Sequence, residues 1–209
     1  MKSNKNMENY LCIGGRITEL TKEQLEKLGI CTKPTIYLEE NGEIAHIGDY
    51  EFIVLNDEDY ADSGYTRLLL KDSLQESKFG EDNNDYRESK VKEILDKFAK
   101  TIEDIIGKHN LITHKVDLTA DDGLKDYGTI NAKMSLLTAQ MYRENVYTID
   151  KYKLEKWWWL ATPYSTPTHK DSTWVKCVSP FDLVIGFYYF GDYGVRPFCI
   201  VKSCIFENK

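Results

Sequence analysis

The chain is predicted to be α+β, with strands at both ends around two helices and a small N-terminal module. Three observations predict this: an Asn41-Gly42 turn between two apolar runs, a long helical stripe from Ser89 to Gly107, and a return to alternation in an aromatic-rich tail. A two-residue Asn-Gly loop is the strongest short-range hairpin signal. Apolar residues three and four apart mark one face of a helix.

Taking the elements in order, Tyr10 to Ile17 alternates around Gly14 and Gly15 like a short hairpin. Thr21-Lys22-Glu23-Gln24 then forms a capping-box pattern before a helix ended by Gly29. This predicts a module over residues 1–32 and a main domain over 33–209. In the main domain, Thr35 to Leu38 and Glu43 to Ile47 flank the Asn-Gly turn. Tyr50 to Leu55 and Arg67 to Leu70 read as strands on either side of an acidic loop, Asn56 to Gly64. Ser89 is an N-cap for a helix carrying Val91, Ile94, Leu95, Phe98, Ile102, Ile105 and Ile106, a stripe suited to packing on a sheet. Thr138 caps a second helix over Ala139 to Glu144. The tail returns to strands at Trp174 to Val178, Leu183 to Tyr189 and Val195 to Phe206.

At 209 residues and 42% apolar content the chain can bury a core without staples. A net charge of -7 argues against a surface that tracks phosphates; it reads first as a solubilising surface and, more sharply, as an acidic face offered to a basic, nucleic-acid-handling partner. The first 16 residues lack the apolar core of a signal peptide, and no apolar run reaches the roughly 18 residues of a spanning helix, so a cytoplasmic protein is expected. The five cysteines, Cys12, Cys31, Cys177, Cys199 and Cys204, are scattered and read as free thiols.

The order Ile47-Gly48-Asp49-Tyr50-Glu51-Phe52-Ile53-Val54-Leu55, Leu68-Leu69-Leu70, Tyr86 to Ser89, Ser135-Leu136-Leu137-Thr138, Trp158-Trp159-Leu160-Ala161-Thr162-Pro163 and Gly194-Val195-Arg196-Pro197 resembles the DUF6273 family of Firmicutes and their phages. The resemblance covers about residues 45–206. The family usually has Arg-Ser-Pro where Ala161-Thr162-Pro163 stands here, whereas the arginine at Arg196 is kept. The resemblance implies a C-type-lectin-like fold, related to formylglycine-generating enzymes, with a small twisted antiparallel sheet and two main helices. In such folds a Trp-Trp strand and a terminal Gly-x-Arg strand pair near the middle of the sheet. Cys12-Ile13-Gly14-Gly15-Arg16, Leu20 to Gln24 and Leu28-Gly29 look like an opening common in phage proteins, so phage or mobile-element origin is expected.

Formylglycine-generating enzymes work through C-terminal cysteines, but five-residue spacing puts Cys199 and Cys204 on opposite faces of a regular strand. His46, His109, His114 and His169 lack the paired spacings of zinc sites, and His114 with Asp117 and His169 with Asp171 are the closest histidine and carboxylate pairs. The carboxylate runs Asp57 to Asp59, Glu81 to Asp85 and Asp121-Asp122 do not match an EF-hand loop. No cofactor is expected, with zinc and calcium only weakly supported. Phosphate-loop, nucleophile-elbow and zinc-protease motifs are all missing, which points away from an enzyme.

Arg196, between Val195 and Pro197, needs a partner if buried: structurally an ion pair with nearby Asp192 or a clamp on backbone carbonyls, or functionally the carboxylate of a ligand. Trp158, Trp159 and Arg196 are assigned to structure. Strand alternation puts Trp157 and Trp159 opposite Trp158, so that one set can be core and the other partly exposed, and it separates Phe187 and Tyr189 from Tyr188 and Phe190. The contact surface is expected in the loops, at Tyr164, His169, Trp174, Tyr188, Phe190, Asp192 and Tyr193. The leading expectation is a non-enzymatic phage or mobile-element protein that binds a host protein, in its specific form a counter-defence inhibitor of a host nuclease such as a CRISPR effector. Direct nucleic-acid and membrane binding are not expected. The alternatives are a small-ligand or glycan-binding lectin-like module of a phage or surface assembly, and a metal-dependent enzyme of unrecognised kind.

Overall fold

The computed structural model describes residues 10–13, 16–19, 35–55 and 63–206, the first two segments by backbone alone. The chain divides into two compact units, Met1–Pro34 and Thr35–Lys209. In the first, β1 (Tyr10–Ile13) and β2 (Arg16–Glu19) form an antiparallel hairpin in which Ile13 faces Arg16. The helix expected over Thr21 to Gly29 and most of the acidic loop at Asn56 to Gly64 lie outside the described residues.

The second unit runs β3 (Ile36–Leu38), β4 (Ile44–Ile47), β5 (Tyr50–Val54), β6 (Tyr65–Leu70), β7 (Gln75–Ser77), α1 (Lys90–Ile106), β8 (Leu111–Ile112), β9 (His114–Asp117), β10 (Thr129–Ala132) and β11 (Met134–Ser135). It continues through α2 (Ala139–Glu144), α3 (Val146–Ile149), β12 (Trp158–Pro163), β13 (Trp174–Val178), β14 (Val184–Tyr188), β15 (Tyr193–Val195) and β16 (Phe198–Lys202). The fold class is α+β. No helix among the described residues is long and apolar enough to cross a membrane.

Local signals explain the best-defined elements. Ser89 Oγ accepts from the Lys92 N–H at 3.0 Å and donates to the Tyr86 carbonyl at 2.9 Å, so it caps α1 and ties it to the preceding turn. Thr138 Oγ1 caps α2 in the same way, accepting from the Met141 N–H at 3.1 Å. The Asn41-Gly42 turn joins β3 to β4 as expected, with Ile36 opposite Ile47.

Instead of one small sheet there are two larger ones. A seven-stranded antiparallel sheet has the order β11-β16-β6-β5-β4-β3, with β8 pairing β16 beside β11. A five-stranded sheet has the order β14-β13-β12-β15-β7, and its central β12–β15 pair is parallel, with Trp158 opposite Gly194. A separate hairpin is formed by β9 and β10.

The strand expected from Val195 to Phe206 is broken at Arg196-Pro197, where the chain leaves the five-stranded sheet at β15 and enters the seven-stranded one at β16. Pro197 has no N–H to continue a ladder. The β6-to-β7 connection makes the reverse change of sheet alongside it: the Leu70 N–H donates to the Pro197 carbonyl and the Leu74 N–H to that of Val195, both at 2.8 Å. A turn at Ser203–Phe206 then replaces the expected end of the strand.

Two apolar cores result. One joins α1, including Val91, Leu95, Phe98 and Ile102, to Leu68, Trp159, Ala161 and Val201. The other joins Tyr142 of α2 to Ile53, Leu69, Trp158, Leu160 and Phe198. Strands β5, β6, β12 and β16 alternate between them residue by residue. This corrects the expected tryptophan split: Trp158 and Trp159 face opposite ways, yet both are buried, because β12 is covered on both faces.

Candidate functional site

The β13–β14 hairpin carries most of the exposed aromatic residues of the tail, Phe181 in its turn and Tyr188 and Phe190 at its end. Its register sets Trp174 opposite Tyr188, whose ring centroids lie 4.2 Å apart. Tyr164, just beyond β12, donates its N–H to the Trp174 carbonyl at 2.9 Å and brings its ring 6.5 Å from that of Trp174. Phe190 stacks on Tyr188 at 5.2 Å with planes 14° apart. The rings of Tyr164, Trp174, Tyr188 and Phe190 therefore form a continuous strip, in which Tyr164, Tyr188 and Phe190 are 46%, 40% and 55% exposed.

Gly186 makes room for this strip. A Cβ there would meet the Tyr164 ring at 3.1 Å and the Trp174 ring at 3.5 Å, so both rings lie close to the strand backbone. Buried Lys176 brings its ammonium 5.3 Å from the Tyr164 ring centroid and donates to Asp121 at 3.0 Å. Asp121 also pairs with Arg143 at 3.3 Å.

The connecting loop is pinned from below by Asn84, which is fully buried. Its Nδ2 donates to the Ser165 carbonyl at 3.0 Å and the Trp174 carbonyl at 2.8 Å, while its Oδ1 accepts from the Tyr127 hydroxyl at 2.7 Å. Asp122 accepts from Ser165 Oγ at 2.5 Å and lies 2.9 Å from His169 Nδ1. Burial works to raise the Asp122 pKa, but Ser165, the Leu124 N–H and His169 outweigh it and hold it below the usual carboxylate value. Asp126 accepts from Thr166 Oγ1 at 2.7 Å and the Thr168 N–H at 3.1 Å, and these threonines likewise lower its pKa.

No family model, curated protein or solved structure matches this chain.

Of the expected contact residues, Tyr164, Trp174, Tyr188 and Phe190 come together, and His169 joins their polar flank through Asp122. Asp192 is exposed in the turn after Phe190. Tyr193 instead turns inward, 4.7 Å from the Trp159 ring and 5.1 Å from that of Phe187, and burial pushes its phenol up to about 12. Alternation predicted the separation of Phe187 and Tyr189, which pack on the first core, from the exposed Tyr188 and Phe190. Asn84 was missed, since nothing in its acidic neighbourhood marks a residue that holds a distant loop.

Arg196 lies at the change of sheet and is fully buried. Its guanidinium donates to the carbonyls of Leu70 and Lys71 at 2.8 Å and of Tyr152 at 3.0 Å, and lies 5.1 Å from the Trp158 ring centroid. The clamp is thus made of backbone carbonyls, not of Asp192. Desolvation pulls its pKa down to about 10. The three carbonyl-bearing residues also line a cleft of about 650 Å³, on whose rim Lys71 pairs with Glu51 at 2.6 Å.

The expected Cys199–Cys204 geometry does not occur. Cys199 is buried in β16, its thiol pushed up to about 12 by burial, whereas Cys204 is exposed in the final turn. Among the described residues, no three His, Cys, Asp or Glu side chains converge as a metal ion would require.

Proposed function

We propose that this chain is a non-enzymatic recognition protein that holds another protein against the Tyr164–Trp174–Tyr188–Phe190 strip. In this reading it is encoded by a phage or mobile element, acts in the host cytoplasm, and targets a nucleic-acid-handling enzyme, in its specific form an RNA-guided nuclease. The scaffold is proposed to be of the C-type-lectin-like, DUF6273 kind. Its support is the motif order and the Trp158–Gly194 pairing in the middle of the five-stranded sheet.

The observation that carries the reading is the strip itself. Most other large aromatics of the tail are turned into the cores, yet these rings stay outside on a pinned loop and a hairpin. Tyrosine and tryptophan supply rigid contact area at low entropic cost and dominate binding hot spots. Neighbouring rings touch one another and tilt by 51°, 37° and 14° along the strip. Such a continuous apolar relief suits a partner's side chains better than a row of flat sugar rings. The net charge of -7 favours a partner whose channel is positive, as a guide-RNA nuclease requires.

The test is a cleavage assay in which the purified chain is added to RNA-guided nucleases of Firmicutes. Cleavage should fall with the wild type. Tyr164→Ala or Phe190→Ala should weaken inhibition by roughly 30-fold, the loss of a hot spot worth about 2 kcal/mol. Nucleases left fully active, or inhibition that both variants retain, would defeat the proposal.

A further inference from the structure

We propose that β14 is a self-pairing edge, along which two copies of this chain join antiparallel about Gly186 and continue the five-stranded sheet across a two-fold axis. Strand β14 ends the sheet order, and among the described residues it pairs only with β13. The Ser179 N–H donates to the Leu183 carbonyl and the Tyr189 N–H to that of Thr173, both at 2.9 Å. Backbone groups therefore point toward β13 at the odd positions, and those of Val184 and Gly186 point to the open edge.

The two edges of this sheet differ in a telling way. At β7, Gln75-Glu76-Ser77 is short and polar, with Glu76 4.0 Å from Lys156, as natural edges are when guarded against pairing. At β14, Leu183 to Phe190 reads Leu-Val-Ile-Gly-Phe-Tyr-Tyr-Phe, with no charge and no proline in a chain that is 29% charged. Leu183 and Phe190 at its ends are 60% and 55% exposed.

A second copy is the occupant this pattern fits. Centred on Gly186, the pairing sets Val184 against Tyr188 of the second copy and Ile185 against its Phe187, β-branched residues opposite aromatics. Glycine meets glycine at the axis, where side chains would crowd. Two copies with a net charge of -7 repel, so a joint must avoid setting like charges together. In this register Asp182 falls beside Phe190 of the second copy and Asp192 beside its Pro180, so no carboxylate meets another. The joint is held by the β14 edge and sets Tyr188 and Phe190 of the strip beside Val184 and Asp182 of the second copy, whereas Tyr164 lies outside it, so Tyr164→Ala tests the strip and Val184→Pro the joint.

The test is sedimentation velocity with light scattering on the full chain over a concentration series. The expected result is a species of twice the 24.3 kDa monomer mass that dissociates on dilution. Val184→Pro removes an outward N–H while leaving the bonds to β13 in place, and Leu183→Lys puts a charge on the joint. Each should give a monomer with the circular dichroism and melting of the wild type, and Leu183→Lys carries the test alone if the proline variant does not fold. A wild type that is monomeric at every concentration overturns the proposal. So does a dimer that survives in a folded variant.

Discussion

Arg196 shows how one side chain can hold a crossing of two sheets. Where β15 gives way to β16 beside the antiparallel crossing from β6 to β7, backbone carbonyls are left without a ladder, and an unpaired buried carbonyl is costly. The planar fork of the guanidinium reaches three of them at once while lying on Trp158. Arg196→Ala should therefore destabilise the fold by about 3 kcal/mol or more, lowering Tm by roughly 6–12 °C. Arg196→Lys should recover only part of this, since one ammonium cannot span carbonyls from Leu70, Lys71 and Tyr152. Thermal melts of the two variants check the claim, and an alanine variant melting like the wild type would remove Arg196 from the structural role.

Among the elements, the parallel pairing of β12 with β15 depends on Gly194 in a similar way. Its N–H donates to the Trp157 carbonyl at 2.8 Å. A Cβ there would sit 3.0 Å from Ser73 Cβ, 3.2 Å from the Trp157 carbonyl oxygen and 3.3 Å from Trp158 Cβ. Gly194→Ala should cost about 1–3 kcal/mol, the usual penalty for overpacking, and a melt within error of the wild type would refute it. Elements with local signals were legible in the sequence: α1 from Ser89 and its stripe, α2 from Thr138, the β3–β4 hairpin from Asn41-Gly42, and the exposed side of β14 from alternation. The short strands β7 to β11 were not, because two to four residues carry no period and their pairing is decided by distant partners. The same reason hid Asn84, whose bonds to Ser165 and Trp174 span 81 and 90 residues. The break at Arg196-Pro197 was marked by proline, but only the second sheet makes that mark a change of direction.

At the scale of the whole molecule, strands that alternate between two cores tie those cores into one cooperative body, so a titrating group in either should move a single thermal transition. His114 is largely buried, with Nε2 2.9 Å from Ser135 Oγ and its ring edge-on to Phe198, and burial lowers its pKa below 6.5. Its unfolded form then takes a proton first, so its contribution is complete above pH 6.5 and declines as pH falls through the lower folded value. Carboxylates follow at lower pH. Glu43 beside Lys151, Glu51 beside Lys71, Asp117 beside Thr119, and Asp122 and Asp126 under the aromatic loop all have lowered pKa values. Their contributions are complete above the ordinary values of 4.5 for glutamate and 3.8 for aspartate, and decline as pH falls through the folded values. Tm should thus fall in two stages on acidification, shallowly below pH 6.5 and more steeply below 4.5. His114→Gln, which keeps a polar group near Ser135 without a titrating ring, should flatten the first stage and leave the second. Melts of both proteins across this range decide the matter: a first stage that persists in His114→Gln would assign it to another group.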